Sequence, residues 1–290
     1  MNQYKLEDLS ALRGRFKMVA LDLDGTLLRA NKTIGERNVQ ALREAAGRGC
    51  RVVLTSGRHP SSVAVYAQIL GCLGRRTSHA VIFNGAAVIS LNDYVKSGRQ
   101  IGFPLLYAQT ANGEEIAAIT ELAHQHGCRM HGYSRQRGLV VEDFNPNSQR
   151  EIVHNFVPLR VADFGTLRAR ETFFKVLAVG APEALDSLRA ALPPEIFTRF
   201  SVLRSDPNFL EFIPGCCTKG TALYELCKII GCELSEVVAF GDAENDQAMI
   251  RSVGLGVAMA NAQDCLKETA DVITLSNQED GVAAVVEKLF

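Results

Sequence analysis

The stretch ALDLDGTLL, residues 20–28, ends an apolar run in two aspartates one residue apart, then adds a glycine and a hydroxyl. Residues 16–23, FKMVALDL, are almost continuously apolar, the pattern of a strand covered on both faces. In a strand, residues i and i+2 face the same side, so Asp22 and Asp24 would repel. In a dry site one of them would stay protonated unless a cation relieved the pair. Hard oxygen ligands point to Mg²⁺, which takes one or two carboxylates, waters and a substrate phosphate. The two acids can then divide the labour. Asp22 would then be the nucleophile on phosphorus, forming an aspartyl phosphate. Asp24 protonates the leaving oxygen and later deprotonates the water that cleaves the intermediate. Gly25 permits a tight turn, and Thr26 is placed to bond nearby backbone. An isolated D-x-D also reads as a pair of turn acids; D-x-D-G-T behind an apolar strand argues against that.

The same rhythm continues outward. Thr33-Ile34-Gly35-Glu36 has the capping-box pattern and opens a helix that stops near Gly47 and Gly49. CRVVLTSG (50–57) is a buried strand, and HPSSVAVYAQILG (59–71) is a helix with Pro60 in its first turn. HAVIFNGA (79–86) is a third strand. This βαβαβ order predicts a parallel sheet with right-handed crossovers. The last third alternates too. A helix from about Thr218 to Ile230 precedes strands in VVAFGDA, GLGVAMA and DVITLS, and helices in NDQAMIRSV, DCLKETA and DGVAAVVEKLF. The middle differs: helical stretches at 113–126, 147–157 and 182–192 are interleaved with RGLVVED, TFFKVLAVG and NFLEFIP. The expected organisation is α/β, a Rossmann-like doubly wound parallel core of 1–85 and 208–290 with an inserted α+β cap of 86–207. Connections near 85–88 and 205–215 are the expected hinges for cap opening.

In an open parallel sheet, ligands bind beyond the carboxyl ends of the strands. Four strands end there in polar or glycine-containing clusters: DLDG (22–25), TSGR (55–58), FNGA (83–86) and FGDAEND (240–246). Ser56 and Gly57 offer a hydroxyl and exposed N–H groups to phosphate, although turn chemistry alone also accounts for them. Arg58 either reaches the phosphate or is solvated. Lys219, at a helix start in GCCTKGTAL, supplies charge for the phosphate and the attacking carboxylate. Asp242 is placed as a metal ligand. Asn245 and Asp246 begin the next helix, where such residues also cap, and Asp246 can hold Lys219 in place. His124, His126 and His131 lie near Arg129, Arg135 and Arg137. The H-x-H pattern suits zinc on a strand, but here it ends a helix; the basic cluster could instead reach an anionic substrate from the insert. A glycine-rich phosphate loop in GLGVAMANA is the weaker phosphate site of the two.

The chain has 290 residues, 47% hydrophobic and 22% charged, with a formal net charge of −1. That profile fits a globular protein with a sizeable core and gives no pull toward nucleic acid or an acidic membrane. The opening MNQYKLEDLS is polar, with no secretory h-region, and no apolar run is long enough to span a bilayer. None of the eight cysteines forms a C-x-x-C pair. They read as reduced thiols, some packed as small hydrophobes, which suits a cytoplasmic location. The neighbours Cys216 and Cys217 are candidates for oxidation sensitivity.

Together these clusters resemble the haloacid dehalogenase superfamily of Mg²⁺-dependent phosphatases. The closest likeness is to its Cof-type branch, which carries a large C2B cap. The resemblance rests on DLDGTLL, TSGR, FNGAAV, the lysine of FIPGCCTKGTAL, FGDAENDQAM and the tail GVAMANAQDCLKETADVIT. It covers about 1–85 and 208–290; the cap matches mainly in length and layout. It implies that Asp22 is phosphorylated, that Asp24 is the acid/base, and that Asp22, the Asp24 backbone carbonyl and Asp242 hold Mg²⁺. It also implies that Ser56 and Lys219 grip the phosphate, Asn245 lines the site, and Asn84 faces substrate near the cap. Many relatives read A-T-G-R where this chain has L-T-S-G-R, which leaves Thr55 as an alternative donor. The implied activity is hydrolysis of small phosphorylated metabolites, sugar phosphates first. A phosphomutase or phosphotransferase would use the same intermediate. A non-catalytic phosphate-ligand binding protein is the third reading, but binding alone requires no nucleophile beside an acid.

Overall fold

The computed structural model describes residues 4–74, 78–166, 171–215 and 217–290. The chain begins β1 (Met18–Asp22), α1 (Glu36–Gly47), β2 (Arg51–Thr55), α2 (Pro60–Ile69), β3 (His79–Ile82), β4 (Ala87–Ser90), α3 (Leu91–Ser97) and β5 (Tyr107–Ala108). It continues through β6 (Ala111–Asn112), α4 (Gly113–Gln125), β7 (Arg129–Ser134), β8 (Gly138–Val141), α5 (Pro146–Asn155), β9 (Leu159–Val161), β10 (Thr172–Val179), α6 (Pro182–Ala191), α7 (Pro194–Arg199), β11 (Phe200–Asp206) and β12 (Phe209–Pro214). It closes with α8 (Lys219–Ile230), β13 (Val237–Gly241), α9 (Gln247–Ser252), β14 (Leu255–Ala258), α10 (Asp264–Thr269), β15 (Val272–Ile273) and α11 (Gly281–Leu289).

Among the described residues, the first sheet has the order β15-β14-β13-β1-β2-β3-β4-β5. It is parallel from β15 to β3; β4 and β5 are antiparallel additions at one edge. Every residue of β1 is buried, as its continuous apolar run predicts. The chain leaves β1 through β2 and β3, then returns to the other side of β1 with β13. The direction of winding therefore reverses between β1 and β13, and a crevice opens beyond their carboxyl ends. Asp22 is the last residue of β1, and Asp242 directly follows β13. The doubly wound α/β core and the α+β insertion are both present.

The second sheet has the order β11-β12-β10-β7-β8-β9, with β6 paired to β10. It is antiparallel except between β8 and β9. One face buries Ile116 and Ile119 of α4 and Leu185 and Leu188 of α6 against Val176 and Phe212. The opposite face packs on the first domain. There Phe174 stacks on Phe83 at 4.8 Å between ring centroids, and Tyr133 lies 5.2 Å from the same ring. Tyr133, Phe174, Leu177 and Ile213 thus join the same apolar cluster as β1 and β2.

Sheet membership departs from the expected division. β4 and β5 extend the first sheet to Ala108, and β12 belongs to the second. The described strands change sheet between Ala108 and Ala111 and again after Pro214, so the stretch 85–88 leads into β4 of the first sheet. A short antiparallel hairpin pairs β4 with β3, and its alternation does not reveal which sheet it joins. The capping box at Thr33 is also absent. α1 is capped at Gly35, and the Thr33 hydroxyl donates instead to Asn31 Oδ1 at 2.7 Å. No helix among the described residues is long and apolar enough to cross a membrane.

Candidate active site

Asp22 ends a buried strand, so its carboxylate has little water to solvate it; the residue is 5% exposed. Its partner arrives from α8. Thr218 caps that helix by accepting from the Thr221 N–H at 3.1 Å, which fixes Lys219 in the first turn. The Lys219 ammonium is fully buried and donates to Asp22 Oδ1 at 2.5 Å and to Asp246 Oδ1 at 2.6 Å. The other Asp246 oxygen accepts the backbone N–H groups of Asp242 and Ala243 at 3.0 and 3.2 Å. Asp246 therefore fixes the loop after β13 and the lysine together. Asn245 and Asp246 lie in a 3₁₀ turn, Glu244–Asp246, ahead of α9.

Asp22, Asp242 and Asp246 each offer an oxygen within 4.8 Å of the others. Three acids around one ammonium leave excess negative charge in a poorly hydrated place. Burial, with repulsion from Asp246 and Asp242, pushes Asp22 well above the ordinary carboxylate range despite Lys219. Burial and Asp246 push Asp242 up to about 6 against the hydrogen bond from Thr26. Burial opposes the charge on Lys219, but its two carboxylates hold it above the usual lysine range. Asp246 is committed to Lys219 and the backbone, so Asp22 and Asp242 are the carboxylates left to take a cation, and both would be relieved by one. Thr26 donates to Asp242 Oδ1 at 2.8 Å rather than to backbone. Gly25 has φ +85, and a Cβ there would run into the Asp242 carboxylate. The glycine lets the turn close over the acid.

Asp24 lies beyond the end of β1 and does not share the Asp22 setting. Its carboxylate takes Arg58 Nε and Nη2, both at 2.6 Å, and Lys32 Nζ at 2.7 Å. Burial alone would raise it, but the hydrogen bonds and charge of Arg58, then Lys32, hold it down at about 2. Arg58 lines the cavity and is paired with Asp24 rather than solvated. It grips Asp24 and also donates to Ser62 Oγ at 3.0 Å. Ser56 lines the cavity and accepts the Arg58 N–H at 3.2 Å, whereas the Thr55 hydroxyl turns to Met249 Sδ at 3.5 Å. Ser56 is therefore the hydroxyl that faces the cavity.

Phe83 and Asn84 both adopt left-handed φ, +53 and +55, before Gly85 at +102. This strained turn aims Asn84 at the cavity, where it accepts from Asn245 Nδ2 and donates to Glu211 Oε2, each at 3.1 Å. A Cβ on Gly57 would approach Asn84 Nδ2 to 2.8 Å.

The cavity between the domains has a volume of about 460 Å³ and brings together Asp22, Asp24, Ser56, Gly57, Arg58, Asn84, Asp242 and Asn245. Lys219 and Asp246 are buried behind its wall. From the cap it takes Arg150, Glu151, His154 and Asn155 of α5, Lys175 of β10, and residues of β11 and β12. The histidine–arginine cluster of the insert contributes nothing. His124 pairs with Glu142, His126 with Ser187, Arg137 with Glu171, and His131 is wholly buried. His131 lies behind the lining, with its ring 6.4 Å from that of Phe209. The cap residues that do line it escaped sequence reasoning. Lys175 in TFFKVLAVG and Glu211 in NFLEFIP stand as lone charges inside apolar strands, and that was their available signal. Cys216 lies outside the described residues. Cys50 and Cys227, both buried, are pushed up to about 12 by burial, which leaves them as protonated, unreactive thiols.

Residues 19–286 match the family model described as haloacid dehalogenase-like hydrolase. A crystal structure of a haloacid dehalogenase-like hydrolase from Bacteroides thetaiotaomicron is 32% identical, with a TM-score of 0.80 over 95% of this chain and 100% of that one. A 5-amino-6-(5-phospho-D-ribitylamino)uracil phosphatase of Bacillus subtilis is 28% identical over 93% of this chain and 94% of its own length. An HMP-PP phosphatase of Serratia proteamaculans is 29% identical over 87% and 86%. The match runs from β1 to α11 and spans both strand-end acids, so the chain belongs to the haloacid dehalogenase-like hydrolase family.

Proposed function

We propose that the protein is a Mg²⁺-dependent phosphatase that hydrolyses small phosphorylated metabolites, sugar phosphates first, through an aspartyl phosphate on Asp22. The observation that carries this reading is the setting of Asp22: a strand-end carboxylate 2.5 Å from a buried ammonium, facing a cavity beside Asp242. The named activities of the phosphatase relatives support the reaction class.

Asp22 attacks phosphorus while Lys219 balances charge on the carboxylate and the phosphate oxygens. Ser56, Gly57 and Asn245 orient the phosphate. Asp22 and Asp242, with the Asp24 backbone carbonyl that the family resemblance implies, would hold Mg²⁺, which would supply charge to offset repulsion between nucleophile and phosphate. Asp24, held at about 2, is ionised in this conformation, the form that takes a proton from the attacking water. To protonate the leaving oxygen it must first come off Arg58 and Lys32 and take up a proton from solvent. We place the core at about 1–109 and 215–290, with the cap between.

The test is phosphate release across a panel of small phosphate monoesters, with and without Mg²⁺, for the wild type and Asp22→Asn. Mg²⁺-dependent release that the variant loses is expected. Equal release by the variant overturns the assignment.

A further inference from the structure

Lys175 and Glu211 form an ion pair at 3.0 Å with both side chains 6% exposed, yet both line the cavity. Their strand neighbours are apolar: Phe174 and Val176 on one side, Leu210 and Phe212 on the other. A buried ion pair contributes little net stability, and an apolar pair of similar volume often serves as well. Its position at the cavity wall suggests a ligand. We propose that the Lys175–Glu211 pair reads the leaving group of the substrate, and that this group is uncharged and rich in hydroxyls. This rests on the phosphatase reading above and adds to it the specificity-determining residues.

Donor and acceptor capacity fits a pair of neighbouring hydroxyls. Glu211 takes one hydrogen bond on each oxygen, from Lys175 and from Asn84, which leaves a lone pair on each. The Lys175 ammonium has three donors, spends one on Glu211 and sits 5.3 Å from the Tyr133 ring centre. A hydroxyl placed there donates to the carboxylate while its neighbour accepts from the ammonium. Asn84 links this pair to Asn245 at the phosphate end, so the spacing between the two ends is fixed.

The charge pattern points to a neutral group. Lys32 and Arg58 are both on Asp24, Arg150 is on Asp206, Lys175 on Glu211 and Arg204 on Asp186. Among the described residues, every lysine and arginine that lines the cavity is therefore in an ion pair in this conformation, and a second phosphate or carboxylate has to compete with a protein carboxylate for its cation. Flat aromatic groups fare no better. Among the described residues the lining has one phenyl ring, Phe209, besides the imidazole of His154, and the Arg150 guanidinium sits 5.1 Å from the Phe209 ring centre.

The experiment measures kcat/KM for hexose monophosphates, the matching bisphosphates and p-nitrophenyl phosphate. The proteins are wild type, Lys175→Met, Glu211→Gln and the double variant Lys175→Met/Glu211→Leu, which leaves no orphan charge. Wild type is expected to favour monophosphates over bisphosphates by at least about tenfold. In the variants the ratio of hexose monophosphate to p-nitrophenyl phosphate kcat/KM should fall at least about tenfold, mainly through KM. An unchanged ratio in the folded double variant, or a wild-type preference for bisphosphates, overturns the proposal while leaving the phosphatase reading intact. No phosphate release by wild type from any of the three sinks both.

Discussion

Asp22 and Asp24 are one residue apart and end in opposite electrostatic settings. Asp22 is crowded by acids and raised, whereas Asp24 is clasped by two cations and lowered. Asp22→Asn should cut kcat by about a thousandfold or more while the protein stays folded, as read by phosphate release and circular dichroism. Asp242 sets a pH dependence. Its carboxyl stands at about 6 in the folded chain against an ordinary 3.8. The folded state therefore holds this proton more tightly, and the resulting stabilisation is full below the unfolded value and fades as pH climbs through the folded one. Metal-free protein should lose melting temperature between about pH 4 and 7, Asp242→Asn should flatten that loss, and Mg²⁺ should offset it in the wild type. At this scale the sequence was legible where chemistry breaks pattern: acids, glycine and hydroxyls at the ends of apolar strands. Arg58 was less so, because its role depends on which carboxylate lies within reach, and that is set by folding. Lys175 and Glu211 broke the same kind of pattern inside strands, where a lone charge has no motif to name it.

Elements carry the precision of the site. Gly25 turns the chain at φ +85 directly beneath the Asp242 carboxylate. Gly25→Ala should destabilise the protein by about 1–3 kcal/mol in urea unfolding and weaken Mg²⁺ dependence, because the new methyl displaces a ligand as well as straining the backbone. The parallel strands were readable from their apolar runs, since burial on both faces leaves little else to read. The start of α1 was not: Thr33 has the right spacing, yet its hydroxyl finds Asn31 and the cap falls two residues later, at Gly35. Nor was the allegiance of β4 and β12 legible, because antiparallel pairing is decided by partners far along the chain.

At the scale of the whole molecule, the core and the cap we propose meet through hydrogen bonds and an apolar seam. Asn155 of the cap accepts the buried His59 N–H at 2.9 Å. Asn155→Ala leaves that donor without its acceptor in the closed form, which should weaken closure by about 1–2 kcal/mol. Steady-state kinetics should show KM rising about five- to thirtyfold, with a smaller change in kcat. Unchanged KM would mean that closure does not depend on this contact.

The packed rings of Phe83, Phe174 and Tyr133 have a thermal consequence. Parting them wets apolar surface, as partial unfolding does, and such wetting carries a positive heat capacity. The enthalpy needed to swing the domains apart then grows with warming. Where product escape limits turnover, an Arrhenius plot for this protein bends, steepening toward high temperature.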